Sequence, residues 1–134
     1  MKLRYPYESK SSLEFGYIPT IKLSLQVKSP KGYIPFIFLL DTGADVTSLP
    51  ASAAEKLGID LDQCPEKPMS GFEGITIMVY KSEIKIKFNK KTFRIPCVFN
   101  PNDDVPILLG RARILDRFNI FLDGENKEIT FEEL

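Results

Sequence analysis

Apolar residues at every second position limit most strongly how this chain can fold. Ile21, Leu23, Leu25 and Val27 fall on one side of an extended chain, with Lys22, Ser24, Gln26 and Lys28 on the other. That is the period of a half-buried strand. Ile84, Ile86 and Phe88 alternate in the same way with Glu83, Lys85 and Lys87, and Ile75, Ile77 and Val79 alternate ahead of them. Turn residues separate such runs at Ser29-Pro30-Lys31-Gly32, Asn89-Lys90-Lys91 and Gly124-Glu125-Asn126, which predicts antiparallel hairpins, including a last one from Asn119 to Phe131. Helix signals are few. Pro50 opens a short helix through Ala51 to Leu57 with Gly58 as its stop, and a second short helix is predicted from Arg111 to about Phe118. The chain reads as all-β with one or two short helices.

Two apolar runs share one ending. Tyr33 to Leu40 passes directly into Asp41-Thr42-Gly43-Ala44-Asp45, and Val105-Pro106-Ile107-Leu108-Leu109 passes into Gly110. Each is preceded by a strand hairpin and followed by a glycine turn and a short helical segment. With no linker between them, the halves belong to one closed or partly closed antiparallel β-barrel. Asp41 follows core-forming residues immediately, where a partly desolvated carboxylate is costly unless paired, hydrogen-bonded or protonated. Gly43 lets the backbone bend back closely, and the Thr42 hydroxyl can bond neighbouring backbone. A third feature is the tip Met69-Ser70-Gly71-Phe72-Glu73-Gly74-Ile75, whose glycines predict a mobile hairpin end of the kind that serves as a lid.

Composition narrows the chemistry. The 134 residues suit one domain with a real core. Eighteen basic and eighteen acidic residues cancel, so no strong field favours nucleic acid or an anionic membrane, and a neutral partner such as polypeptide fits better. The stripe Lys81, Lys85, Lys87, Lys90 and Lys91 reads as a solvated sheet face. Histidine is absent, which removes Ser-His and Cys-His catalysis and leaves carboxylates, Lys, Tyr or Cys. Cys64 and Cys97 read as free structural thiols; a disulfide between them is possible but unforced, and zinc ligation is not indicated. Asp103 and Asp104 read as a solvated loop with no third metal ligand, so neither metal nor other cofactor is expected. No stretch reaches membrane-spanning length and the N-terminus lacks the apolar run of a signal peptide, which predicts a cytoplasmic protein.

Taken in order, these elements resemble the retropepsin-like aspartic proteases over roughly residues 19 to 132. Phe38-Leu39-Leu40-Asp41-Thr42-Gly43-Ala44-Asp45 is similar to the family's active-site turn, and Met69 to Tyr80 to its flap. Ile107-Leu108-Leu109-Gly110-Arg111 is similar to the strand, glycine and arginine opening its helix. The resemblance implies a retropepsin-type barrel over residues 17–134, with residues 1–16 as an N-terminal arm. It implies that Asp41 is the catalytic aspartate, Thr42 the threonine bonding its counterpart across a dimer, and Gly43 the glycine whose carbonyl faces substrate. Asp45 matches an acid that contacts substrate backbone and pairs with Arg111. Gly71 and Phe72 match the flap, with Phe72 at its tip, and Val105, Pro106 and Leu108 the walls of the substrate pockets. The chain departs from retroviral members where Val46 replaces a frequent third acid and where it ends in a full hairpin, closer to the cellular and bacterial branches. The interleaved retroviral dimer strands are therefore not carried over.

The resemblance implies peptide hydrolysis by a water activated between two carboxylates. The chain offers one such turn, because the second run ends without an acid. A homodimer with one Asp41 from each subunit is therefore expected. The alternative is a catalytically silent domain of the same fold that binds a peptide or partner. Residues 1–16 are read as a cover for the cleft or the dimer surface, whose deletion would raise activity or dimerisation.

Overall fold

The computed structural model describes residues 2–71 and 74–134. Strand β1 (Lys2–Pro6) leads into β2 (Glu8–Ser12), on which β3 (Gly16–Thr20) folds back. β4 (Lys22–Ser29) and β5 (Gly32–Leu40) form the next hairpin, from Lys22 opposite Leu39 to Ser29 opposite Gly32. β4 buries Leu23, Leu25 and Val27 and exposes the residues between, as its alternation predicts. The turn is closed by the Ser29 hydroxyl, which donates to the Gly32 carbonyl at 2.6 Å and accepts the Lys31 amide at 3.2 Å.

After β6 (Thr47–Pro50) comes the helix α1 (Ala51–Lys56), with Pro50 at its N-cap. It stops at Gly58, which takes φ +70 and stacks so closely on Pro30 that a Cβ there would lie 2.4 Å from its Cγ. A single 3-10 turn spans Leu61–Gln63. β7 (Glu66–Ser70), β8 (Thr76–Phe88) and β9 (Lys91–Asn100) follow as an antiparallel meander. The two alternating patterns around residues 75–79 and 84–88 are one strand of 13 residues, β8. Its buried side changes from odd positions at Val79 to even positions at Ile84, Ile86 and Phe88 as it passes from the β7 hairpin into the body.

The last strands are β10 (Leu108–Leu109), β11 (Phe118–Asp123) and β12 (Glu128–Glu133). The second expected helix, Arg111 to Phe118, is instead a run of turns. Ile114 and Phe118 are both buried at helical spacing, and the amides of Leu115 and Phe118 do reach back four residues to Arg111 and Ile114. Between them Arg113 takes φ +65, a left-handed conformation that a right-handed helix cannot propagate through.

The large sheet runs β4-β5-β10-β6-β9-β8-β7, and β4 also pairs with β8 through Gln26–Lys87 and Val27–Ile86. That second pairing curls the sheet into a partly closed barrel. Most neighbours are antiparallel; β10 with β5 and β6 with β9 are parallel. A three-stranded sheet, β1-β12-β11, covers one side of it and shares its core. Phe88, Phe118 and Phe131 meet there with ring centroids 4.9–5.9 Å apart, and Phe93 packs on Phe118 at 5.3 Å. Cys64 and Cys97 are free thiols, the second fully buried. Among the described residues no helix is long and apolar enough to cross a membrane.

Candidate active site

The site is built where β5 ends. Leu40 is held by the Ile21 carbonyl at 2.9 Å and Leu39 by the Ile107 carbonyl at 2.8 Å, so β5 is gripped from both sides up to its last residue. The Asp41 amide then donates to the Leu109 carbonyl at 3.1 Å, and the chain turns as the Ala44 amide bonds back to the Asp41 carbonyl at 3.1 Å. Within this turn the Gly43 amide donates to Asp41 Oδ1 at 2.9 Å, which fixes the carboxylate plane. Among the described residues that is the side chain's one hydrogen bond, so the other oxygen is left to solvent or to a second molecule. Asp41 is half-buried, while Thr42 and Gly43 are exposed.

Two glycines make room here. A Cβ on Gly43 would sit 3.2 Å from Asp41 Oδ1, crowding the carboxylate it orients. A Cβ on Gly110 would sit 2.4 Å from the carbonyl carbon of Val46 and 2.8 Å from the Thr47 nitrogen. The loop that follows Asp41 therefore crosses directly over Gly110, and no side chain fits between. Thr47 locks the crossing: its buried hydroxyl accepts the Gly110 amide at 3.1 Å. The Arg111 and Ala112 amides add bonds to the Ala44 and Asp45 carbonyls at 3.0 and 2.9 Å.

This crossing brings Arg111 Nη2 onto Asp45 Oδ1. Both side chains are exposed, so the pair adds little to stability. Its effect is to hold the Asp45 carboxylate beside the turn. Leu108 lies opposite Leu39 on the parallel neighbour β10 and is half-buried, with Val105 half-buried and Pro106 exposed in the loop before it. Thus Asp41, Thr42, Gly43, Asp45, Arg111 and Leu108 converge on one end of the barrel. Gly71, expected in a flap, stands apart at the end of the β7–β8 hairpin. Gly71 donates to the Ile75 carbonyl at 3.0 Å and accepts from the Gly74 amide at the same distance, and Ile75, Ile77 and Met78 are exposed. Phe72 lies outside the described residues. Among the described residues no hydrogen bond joins this hairpin to the Asp41 turn. Thr47 was not legible as a site residue, because only the crossing reveals that this hydroxyl is buried against the glycine amide.

The register fixes what lies beside Asp41 on the next strand. Leu40 lies opposite Leu109, so the residues that follow, Asp41 and Gly110, end their strands side by side. The neighbouring strand thus continues into a glycine, and the other acid of the turn, Asp45, is tied to Arg111.

Comparison with known proteins places these features. The model of a family described as aspartyl protease matches residues 25–112. Among solved structures, a retropepsin-like aspartic protease from Rickettsia conorii superposes with a TM-score of 0.61 at 16% identity, covering 95% of each chain. EIAV protease, solved with the inhibitor HBY-793, superposes with a TM-score of 0.53 at 20% identity, covering 80% of this chain and 92% of its own. No curated protein sequence matches.

Proposed function

The chain belongs to the aspartyl protease family and has the retropepsin fold, and from that premise we propose that it is an aspartic endopeptidase active as a homodimer. The observation that carries this reading is the pairing of Asp41, its carboxylate oriented by the Gly43 amide, with a neighbouring strand that ends in Gly110. Of the two acids in this turn Asp45 is tied to Arg111, which leaves Asp41 as the one carboxylate for chemistry, and hydrolysis of a peptide bond without a nucleophilic side chain needs both a base and an acid. A second copy related by a two-fold axis supplies the other.

Two carboxyls held a few ångströms apart cannot both ionise, so they share a proton and titrate as a pair. The charged member removes a proton from water as the oxygen bonds to the scissile carbonyl carbon. The protonated member donates to the carbonyl oxygen, giving a tetrahedral diol. On collapse the charged member takes a proton from one diol hydroxyl as the carbon–nitrogen bond breaks, the nitrogen leaves with the proton of the other member, and one shared proton remains on the pair. Thr42 bonds its counterpart across the axis, the Gly43 carbonyl and Asp45 hold substrate backbone, and Arg111 steadies Asp45. The β7–β8 hairpin, with Gly71, closes over the substrate, and Val105, Pro106 and Leu108 wall pockets that suit hydrophobic residues.

Cleavage of a degenerate hydrophobic peptide pool from about pH 3 to pH 7 tests the reading, with wild type beside Asp41→Asn and mass in solution recorded. Cleavage that follows the dimer and disappears in Asp41→Asn supports it. A dimer that binds peptides without cutting them would replace it with a silent binding domain.

A further inference from the structure

Among the described residues the β2–β3 hairpin pairs with no other strand, and only Glu8, Ser9, Tyr17 and Pro19 of it face the β11–β12 turn at Gly124 and Lys127. It forms a two-stranded sheet by itself, and none of residues 8–20 is buried. Its turn carries Leu13 and Phe15, exposed at 107% and 75%, and Tyr17 stands beside them at 81%. A lone two-stranded ribbon is marginally stable in water, and large apolar side chains gathered at its end mark an interaction surface.

The hairpin's root fixes the direction from which cover must come. Thr20, opposite Glu8, is followed by Ile21, whose carbonyl accepts the Leu40 amide at 2.9 Å. Leu40 in turn precedes Asp41. The hairpin therefore leaves the body at the end of the β4–β5 pair that carries the active-site turn, where Lys22 lies opposite Leu39. That is also the end a second chain must approach if two Asp41 carboxylates are to meet. Resting on the dimeric reading above, we propose that the β2–β3 hairpin is a dimerisation arm whose Leu13, Phe15 and Tyr17 pack against the body of a second copy of this chain. Two-fold symmetry doubles the contact, because each arm is both given and received. An arm of this kind acts in the opposite sense to a cover over the cleft: its loss weakens the dimer.

Sedimentation equilibrium on the full chain tests the arm, comparing wild type with the double variant Leu13→Ser, Phe15→Ser. Both arm side chains point into solvent in the isolated chain, so the double variant keeps its fold, which far-ultraviolet circular dichroism checks. The expected result is a dimer whose dissociation constant rises at least about tenfold in the double variant, the effect of uncovering apolar anchors. Amides of residues 8–20 should also exchange more slowly as wild-type concentration passes the dissociation constant. A dissociation constant unchanged or lowered by the double substitution, or a wild type that stays monomeric, overturns the arm. The protease reading fails separately: an arm-dependent dimer that cuts no peptide leaves the arm standing, and a cleaving dimer indifferent to the arm leaves the protease standing.

Discussion

Gly43 positions the Asp41 carboxylate by giving it an amide and withholding a side chain. A methyl group there would stand 3.2 Å from Oδ1 and push the acid by tenths of an ångström. Gly43→Ala is therefore expected to lower kcat/KM at least about tenfold, since small misplacements of reacting groups are costly, with little change in melting temperature at an exposed turn. Thr47→Val should do the reverse. It keeps the shape but strips the buried Gly110 amide of its acceptor, costing about 1–3 kcal/mol in chemical denaturation, while Thr47→Ser restores the bond. Equal effects of both substitutions on activity and stability would contradict this division. Asp41, Thr42 and Gly43 are legible in the sequence because the change from an apolar strand to an acid is local. Asp45 with Arg111 entered only through the resemblance, and the Thr47–Gly110 lock joins residues 63 apart that no periodicity connects.

At the scale of elements, hairpins were legible wherever one face is buried, as in β4 and the second half of β8. The β2–β3 ribbon was not, because Glu8–Ser12 carries no apolar alternation to reveal it. The segment after Gly110 misled in the other direction: Ile114 and Phe118 have helical spacing, yet the left-handed Arg113 turns the chain instead. β9 also carries a titration signature. Burial, reinforced by the nearby Cys64 and Glu83, pushes the Cys97 thiol up from 9.0 to about 12. The unfolded chain releases this proton near pH 9 while the folded chain retains it. The thiol's contribution is thus complete below pH 9 and lost as pH rises towards 12. Between those values the stability of wild type relative to Cys97→Ala should fall by up to about 1.4 kcal/mol per pH unit, as urea titrations at stepped pH would show. Parallel stability curves for the two proteins would show that the thiol is not shielded.

At the scale of the whole molecule, the barrel is closed by only two residue pairs between β4 and β8, and one core serves both sheets. Among the described residues the Asp41 turn holds one other acid, Asp45, which is tied to Arg111, and the strand beside Asp41 continues into Gly110. The fold class was legible from alternation, and the single Asp-Thr-Gly turn from the second apolar run, which ends without an acid; that Asp41 and Gly110 end their strands side by side needed the register. Subunit mixing tests the resulting central claim most directly. Wild type and Asp41→Asn are unfolded together, refolded in varied proportions at constant total concentration above the dimer dissociation constant, and assayed for peptide cleavage. A dyad shared between chains predicts activity that falls as the square of the wild-type fraction, to about one quarter at an equal mixture. Activity that falls in direct proportion, to about one half, would mean that each chain cleaves with its own Asp41 and would contradict the shared site.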